Sequence, residues 1–187
     1  MGIKIGQKNG SSFADPLGLL SDCHRKIEHF FDLLILVTNQ AQGQRLNQEQ
    51  KEALEASLHY FREAGPKHKD DEEKSLFPRM RKGESSRIET AISALDLLEA
   101  DHKRMDEGHL SIEGLSSKWL EFGKLSKEEI HQLSVILTDL QQIYQRHIAL
   151  EDSHILPLAK IVLNPSEIEE IGREMMARRG IIKSGQI

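Results

Sequence analysis

A single cysteine, Cys23, excludes an internal disulfide framework. With no secretory h-region in the polar, glycine-rich stretch Met1 to Asp15, a cytosolic location is the expectation. The longest purely apolar run is Leu33 to Val37, only five residues, so a transmembrane span is excluded and a soluble chain is expected. Positive charge is not in excess either: the formal net charge is -5, which leaves no electrostatic footprint for nucleic acid. Strand-and-turn alternation is missing, and prolines number only five. What remains is a charged, helix-rich chain long enough to bury a real core.

Helix starts recur. Asp15-Pro16 supplies an N-cap and a proline at the first helical position. Asn47 with Gln50, Ser86 with Glu89 and Ser126 with Glu129 form capping-box patterns, and Asn164-Pro165 with Glu167 repeats the device. These signals place helices over 16–41, 48–82, 87–122, 127–163 and 165–179, the second kinked or interrupted at Gly65-Pro66. The expected fold is all-α: an up-down antiparallel four-helix bundle over 16–163, preceded by a flexible lead-in (1–15) and followed by a short C-terminal helix and tail (164–187).

The apolar stripes carry unexpected residues. Leu133, Leu137, Leu140, Tyr144, His147, Glu151 and His154 follow alternating steps of four and three, so two or three polar groups stand where a bundle helix places leucine. Leu17, Leu20, His24, Ile27, Phe31 and Leu34 do the same in the first helix; Leu95, Leu98, His102, Met105 and His109 do so in the third. His68, Glu72 and Leu76 line up in the second.

These positions are duplicated. Leu19-Leu20-x-x-x-His24 aligns with Leu97-Leu98-x-x-x-His102, and His68-x-x-x-Glu72 with His147-x-x-x-Glu151; the spacings between the paired motifs are 44 and 45 residues. A duplicated helix pair closes a bundle around an approximate two-fold axis. Carboxylates buried in such a core cost several kcal/mol unless paired or metal-bound, and two facing each other oppose joint ionisation. A metal pair removes both difficulties: residues four apart share a helix face, so each motif offers an imidazole to one metal and a carboxylate that bridges to a second. His24 and His102 add one nitrogen each. The nitrogen and oxygen donors suit iron or manganese better than a thiolate set would, and the two-histidine zinc motif at i,i+4 is absent.

The order H…HxxxE…H…HxxxE, with the flanks HKDDEEKSLFP and HIALEDSHILP, resembles the hemerythrin-like HHE cation-binding family across roughly 16–163. That resemblance implies an oxo- or hydroxo-bridged di-iron centre. His24, His68, His102 and His147 would be terminal ligands, and Glu72 and Glu151 bridges. Manganese or zinc are possible substitutes for the two irons. The respiratory members carry a second histidine four residues beyond the third-helix one; here that residue is Asp106. The expected small-molecule ligand is dioxygen, peroxide or nitric oxide, with no nucleic-acid or membrane partner. Oxidoreductase or peroxidase-like reactivity, oxygen or iron sensing, and iron storage all stay open, as does the oligomeric state.

Other polar groups stand near these positions. Glu28 and Asp106, the i+4 carboxylates after His24 and His102, are candidates for extra ligands or for partners that orient the imidazoles. Glu73 and Asp152 follow the bridging acids and, rotated about 100° around a regular helix, are expected on solvated faces. His154 is a candidate mouth or relay residue. Glu99/His102 and Glu151/His154 form the i,i+3 pairs of ferritin-like di-iron oxidases, a rival that the duplication does not preserve, since their counterparts include Ser21 and Ser75. His29, His59, His109 and His131 are expected as surface or packing residues, and Cys23 as a packing residue.

Overall fold

The computed structural model describes the backbone over residues 11–82 and 86–181, and side chains over 11–82 and 91–181. Among the described residues there is no strand, and no helix is long and apolar enough to cross a membrane. Helix α1 spans Pro16–Ala41, α2 Gln48–Glu63, α3 Gly65–Asp71, α4 Phe77–Lys82, α5 Ser86–Phe122, α6 Lys127–Leu150, α7 Leu156–Val162 and α8 Pro165–Arg178. Two single π turns, Glu72–Leu76 and Glu151–Ile155, join α3 to α4 and α6 to α7. The molecule is therefore four rods, α1, α2–α4, α5 and α6–α7, with α8 packed against α1 and the second rod.

Helices α1, α2, α6 and α8 each start at a residue whose side chain caps the first turn. The Asp15 side chain accepts from Gly18 N, and the Asn47, Ser126 and Asn164 boxes are closed in both directions. The Ser86–Glu89 box lies outside the described side chains. Proline at 66 interrupts the second rod as expected, at the Ala64 junction between α2 and α3.

Around the bundle α1 packs on α2 and α6, and α5 packs on α6 and α2, which closes the ring of an up-down four-helix bundle. Its interior is two apolar clusters. One contains Phe31, Leu34, Leu54, Met105, Trp119 and Leu137. The other contains Leu20, Phe77, Met80, Leu95, Ile155 and Met175. The duplicated polar residues form a layer between them.

Residues 11–15, expected as part of a flexible lead-in, are tied down: Ser11 N donates to Asp22 Oδ2 at 2.7 Å and Phe13 runs against α8. Gly172 makes that approach possible, because a Cβ there would stand 2.1 Å from the Phe13 carbonyl oxygen. The expectation for Met1–Gly10 lies outside the described residues.

Helix α8 is locked to the second rod by charge. Asp71 is fully buried and accepts from Arg178 Nη1 at 2.8 Å and Arg179 Nη2 at 2.6 Å. Ser75 receives Arg178 Nη2 at 2.7 Å and donates to Glu174, which also accepts from Arg79. Removing one side of such a buried pair leaves an uncompensated charge, a loss of about 2–4 kcal/mol for partners that keep some solvent contact. The Arg178→Met/Arg179→Met double variant should therefore melt roughly 5–15 °C below the parent. Adding Asp71→Asn should recover about half of the loss, because it removes the stranded charge. Thermal unfolding of the three variants checks this; a double variant that melts with the parent would mean that the arginines do not hold α8.

Candidate metal centre

All six residues of the duplicated pattern meet in the polar layer. His24, His68, Glu72, His102, His147 and Glu151 are each buried, none above 7% exposed. Their Nε2 atoms point inward. His24 Nε2 stands 3.1 Å from Glu151 Oε2 and 3.8 Å from Glu72 Oε1, and His68 Nε2 stands 3.1 Å from Glu72 Oε1. On the opposite side His102 Nε2 is 3.2 Å from Glu72 Oε2, and His147 Nε2 is 3.4 Å from Glu151 Oε2.

The donors fall into two overlapping groups, His24-His68-Glu72-Glu151 and Glu72-His102-His147-Glu151, and within each the donor atoms lie within 4.8 Å of one another. Glu72 divides its two oxygens between the groups. Glu151 turns Oε2 to a histidine of each. Two cations sharing both carboxylates fit this arrangement. A further observation agrees: among the described residues His24 Nε2, Glu72 Oε2 and both Glu151 oxygens are buried without a hydrogen bond, despite the short N···O separations. Orphaned buried donors and acceptors are costly, so a set converging on one point fits coordination to a cation.

The π turns begin at Glu72 and Glu151 themselves. Phe77 N donates to Glu72 O and Leu156 N to Glu151 O, five residues back. The cause is in the sequence. Pro78 and Pro157 have no N–H, and their rings press on the carbonyl four residues earlier, so the turn before each widens by one residue.

That extra residue corrects two expectations. In a widened turn successive side chains are separated by less than 100°, so Glu73 and Asp152 are not confined to solvated faces. Instead His102 Nδ1 is bonded to Glu73 Oε1 and His24 Nδ1 to Asp152 Oδ1, both at 2.8 Å. Each carboxylate reaches across to the opposite repeat. They orient the imidazoles, the role considered for Glu28 and Asp106, which lie elsewhere: Glu28 pairs with Arg25, and Asp106 with Lys69. Past the π turn the core position passes to buried Ile155, and His154 is exposed, bonded to Ser153 Oγ. His154 is neither a ligand candidate nor at the mouth of the site, and the ferritin-like pair Glu151/His154 does not form on one face.

The remaining pair of histidines is asymmetric. His147 Nδ1 lies 3.8 Å from Asp101 Oδ2, and Asp101 is itself buried and held by Arg146. In the first repeat the residue equivalent to Asp101 is Cys23, and Nδ1 of both His68 and His147 is buried without a hydrogen bond among the described residues.

Protons stand in for cations in the metal-free chain. Burial opposes charge on His24, but the carboxylates of Glu151 and Glu72 outweigh it and raise its pKa to about 11. His102 is likewise disfavoured by burial and raised to about 9 by Glu72, with Glu73 assisting. His68 is pushed down by burial and stays neutral. Burial works to raise Glu72 and Glu151; against it, the imidazoles of His68, His102 and His24 hold Glu72 well below the usual carboxylate range. Glu151 is raised further by the Glu72 charge, yet His147 and His24 bring it down overall.

A cavity of about 550 Å³ reaches the layer from one side, where His68, His102 and His147 line it. His109, one of the histidines expected at the surface or in packing, is recessed in that cavity with Tyr144.

Comparison with known proteins places these residues in a family. The profile of the hemerythrin HHE cation binding domain matches residues 15–159. A protein of Haemophilus influenzae described as uncharacterized is 28% identical over 171 residues, covering 91% of this chain and 94% of its own length.

The proton inventory gives a pH signature. Histidines with raised pKa stabilise the fold fully below about pH 6.5. That contribution disappears as pH climbs through about 9 for His102 and about 11 for His24. The depressed carboxylates act oppositely, stabilising above about pH 4.5 and losing their effect as pH falls. The metal-free protein should thus be most stable between about pH 4.5 and 6.5 and weaken on both sides. Chemical denaturation from pH 4 to pH 11 tests this, and a flat profile above pH 8 would contradict the protonated His24 and His102.

Proposed function

The chain belongs to the hemerythrin HHE cation-binding domain family, and we propose that it is a non-haem di-iron protein that binds or reacts with dioxygen, peroxide or nitric oxide. Its ligands on this reading are His24, His68, Glu72, His102, His147 and Glu151. The observation that carries the reading is the sharing of Glu72 and Glu151 between two four-donor groups, which a one-metal site does not need. Four imidazoles with two carboxylates suit iron, and manganese or zinc are chemically admissible substitutes.

When bound, an iron pair supplies two adjacent redox-active ions able to exchange electrons with a small oxygen or nitrogen oxide species. The chain's own residues do the rest. Glu73 and Asp152 accept from Nδ1 of His102 and His24, which leaves the Nε2 lone pairs aimed inward once those nitrogens shed their protons. Glu72 and Glu151 bring two negative charges to a place that water reaches poorly. The apolar cavity beside His68, His102 and His147 gives a small ligand a way in. Among the three activity classes we favour reaction with dioxygen or peroxide, because this cavity opens beside three of the four histidines.

Protein grown with iron should retain about two metal ions per chain, and spectra followed from anaerobic conditions into air should change in the near-ultraviolet. A reversible change would mark carriage; an irreversible one with peroxide consumption would mark an enzyme. Glu73→Ala and Asp152→Ala should each weaken metal retention by about 10–100-fold, while Glu28→Ala and Asp106→Ala leave it unaltered. A single tightly held ion would overturn the two-metal reading, and equal losses from all four variants would overturn the orienting role of Glu73 and Asp152.

A further inference from the structure

We infer that the cavity beside the metal layer is a binding site for an uncharged, largely hydrocarbon molecule the size of two fused rings, carrying one hydroxyl or carbonyl oxygen that bonds to the Tyr144–His109 pair. This goes beyond the di-iron reading and does not depend on it.

Size is the first argument. The cavity holds about 550 Å³, whereas on a comparable measure a water-sized occupant needs roughly 10–15 Å³. Dioxygen, peroxide or nitric oxide would leave nearly all of it unused. Pockets that enclose organic ligands run from about 300 to 1,000 Å³. A hollow of this size beside the apolar cluster forgoes contacts that a tighter set of side chains would have made.

The walls name the class of guest. Ile27, Leu58, Phe61, Met105 and Ile148 give hydrocarbon and thioether surface. Phe61 stacks on His109 with ring centroids 4.2 Å apart, and Phe31 meets the Tyr144 ring at 5.2 Å, so one wall is aromatic. Flat apolar rings and a pliable methionine suit an aromatic guest. Charge is cancelled at the rim. Lys69 Nζ lies 2.5 Å from Asp106 Oδ2, and Arg62 is paired with Glu113. An anionic or cationic guest would have to break these pairs, whereas a neutral one passes between them.

A single polar feature interrupts the apolar walls away from the ligand histidines. His109 Nε2 and Tyr144 Oη are 2.7 Å apart. Burial holds the His109 imidazole neutral, its pKa lowered to about 4, and the Tyr144 phenol keeps its proton because burial raises its pKa. One hydrogen joins the two groups, so the phenol retains a lone pair or a proton for one more partner. A guest hydroxyl or carbonyl completes that set.

The test is titration of 2-naphthol and naphthalene into the full-length protein, metal-free and iron-loaded, followed by ligand fluorescence and calorimetry. Saturable one-to-one binding of 2-naphthol is expected in both forms, about 5–10-fold tighter than naphthalene. Tyr144→Phe should erase that difference while naphthalene binding persists. Leu58→Trp, which fills the cavity, should weaken both ligands at least about tenfold. Absence of saturable binding would overturn the proposal, as would an unchanged 2-naphthol preference in Tyr144→Phe or full affinity in a folded Leu58→Trp. Should Leu58→Trp not fold, a crystal structure of the parent with 2-naphthol decides: the ring against Phe61 and Met105 supports the site, and any other location refutes it. Since the metal-free form is titrated too, failure of the di-iron reading would leave this result intact.

Discussion

Two carboxylates facing each other in the middle of a helical bundle are the constraint on which the rest of this molecule depends. Glu72 and Glu151 are 1% exposed, and each is surrounded by imidazoles rather than water. Left alone, like charges so placed would force one carboxylate to take a proton. The chain prevents this with four histidines, two of which carry a proton in the metal-free state between the same carboxylates that would share a cation in the loaded one. Proton and metal thus compete for one electrostatic vacancy.

A polar layer of this kind must be held by what lies above and below it. The two apolar clusters do so: one runs through Phe31, Trp119 and Leu137, the other through Leu20, Phe77 and Ile155. Hydrophobic burial in both offsets the ordering of the layer between them. The second cluster includes Ile171 and Met175 of α8. The C-terminal helix is thereby part of the packing around the site, and its arginines fasten Asp71, the neighbour of Glu72.

Much of this was legible in the sequence because two periodicities coincide. The alternating steps of four and three gave the four rods and their inner faces, and the duplication singled out the polar residues that interrupt those faces. Asp15, Asn47, Ser126 and Asn164 marked helix starts that the structure reproduces. What escaped was the π turn. A regular helix turns Glu73 and Asp152 away and brings His154 inward; an extra residue per turn does the opposite. The signal was present in Pro78 and Pro157, which stand at equivalent places in the repeat, but a proline inside a helix can be met by a kink, a break or a widened turn. Only the tertiary setting, in which each carboxylate finds an imidazole across the bundle, selects the last of these. Asp71 and its arginines were illegible for another reason: their partners are over 100 residues apart, and no local pattern links them.

The asymmetry of the two halves then has a physical reading. The six central positions are the same in both repeats, since each must face the same centre. The groups behind them differ. Asp101, held by Arg146, lies 3.8 Å from His147 Nδ1 without a hydrogen bond to it, whereas the residue equivalent to Asp101 in the first repeat is Cys23. Asp71 and Ser75 are clamped by α8, while their counterparts Leu150 and His154 are partly buried and exposed. The half containing Glu72 is therefore the one braced from outside by α8. Identical central residues thus sit in unlike surroundings, the first half braced by α8 through Asp71 and Ser75 and the second flanked by Asp101 and Arg146.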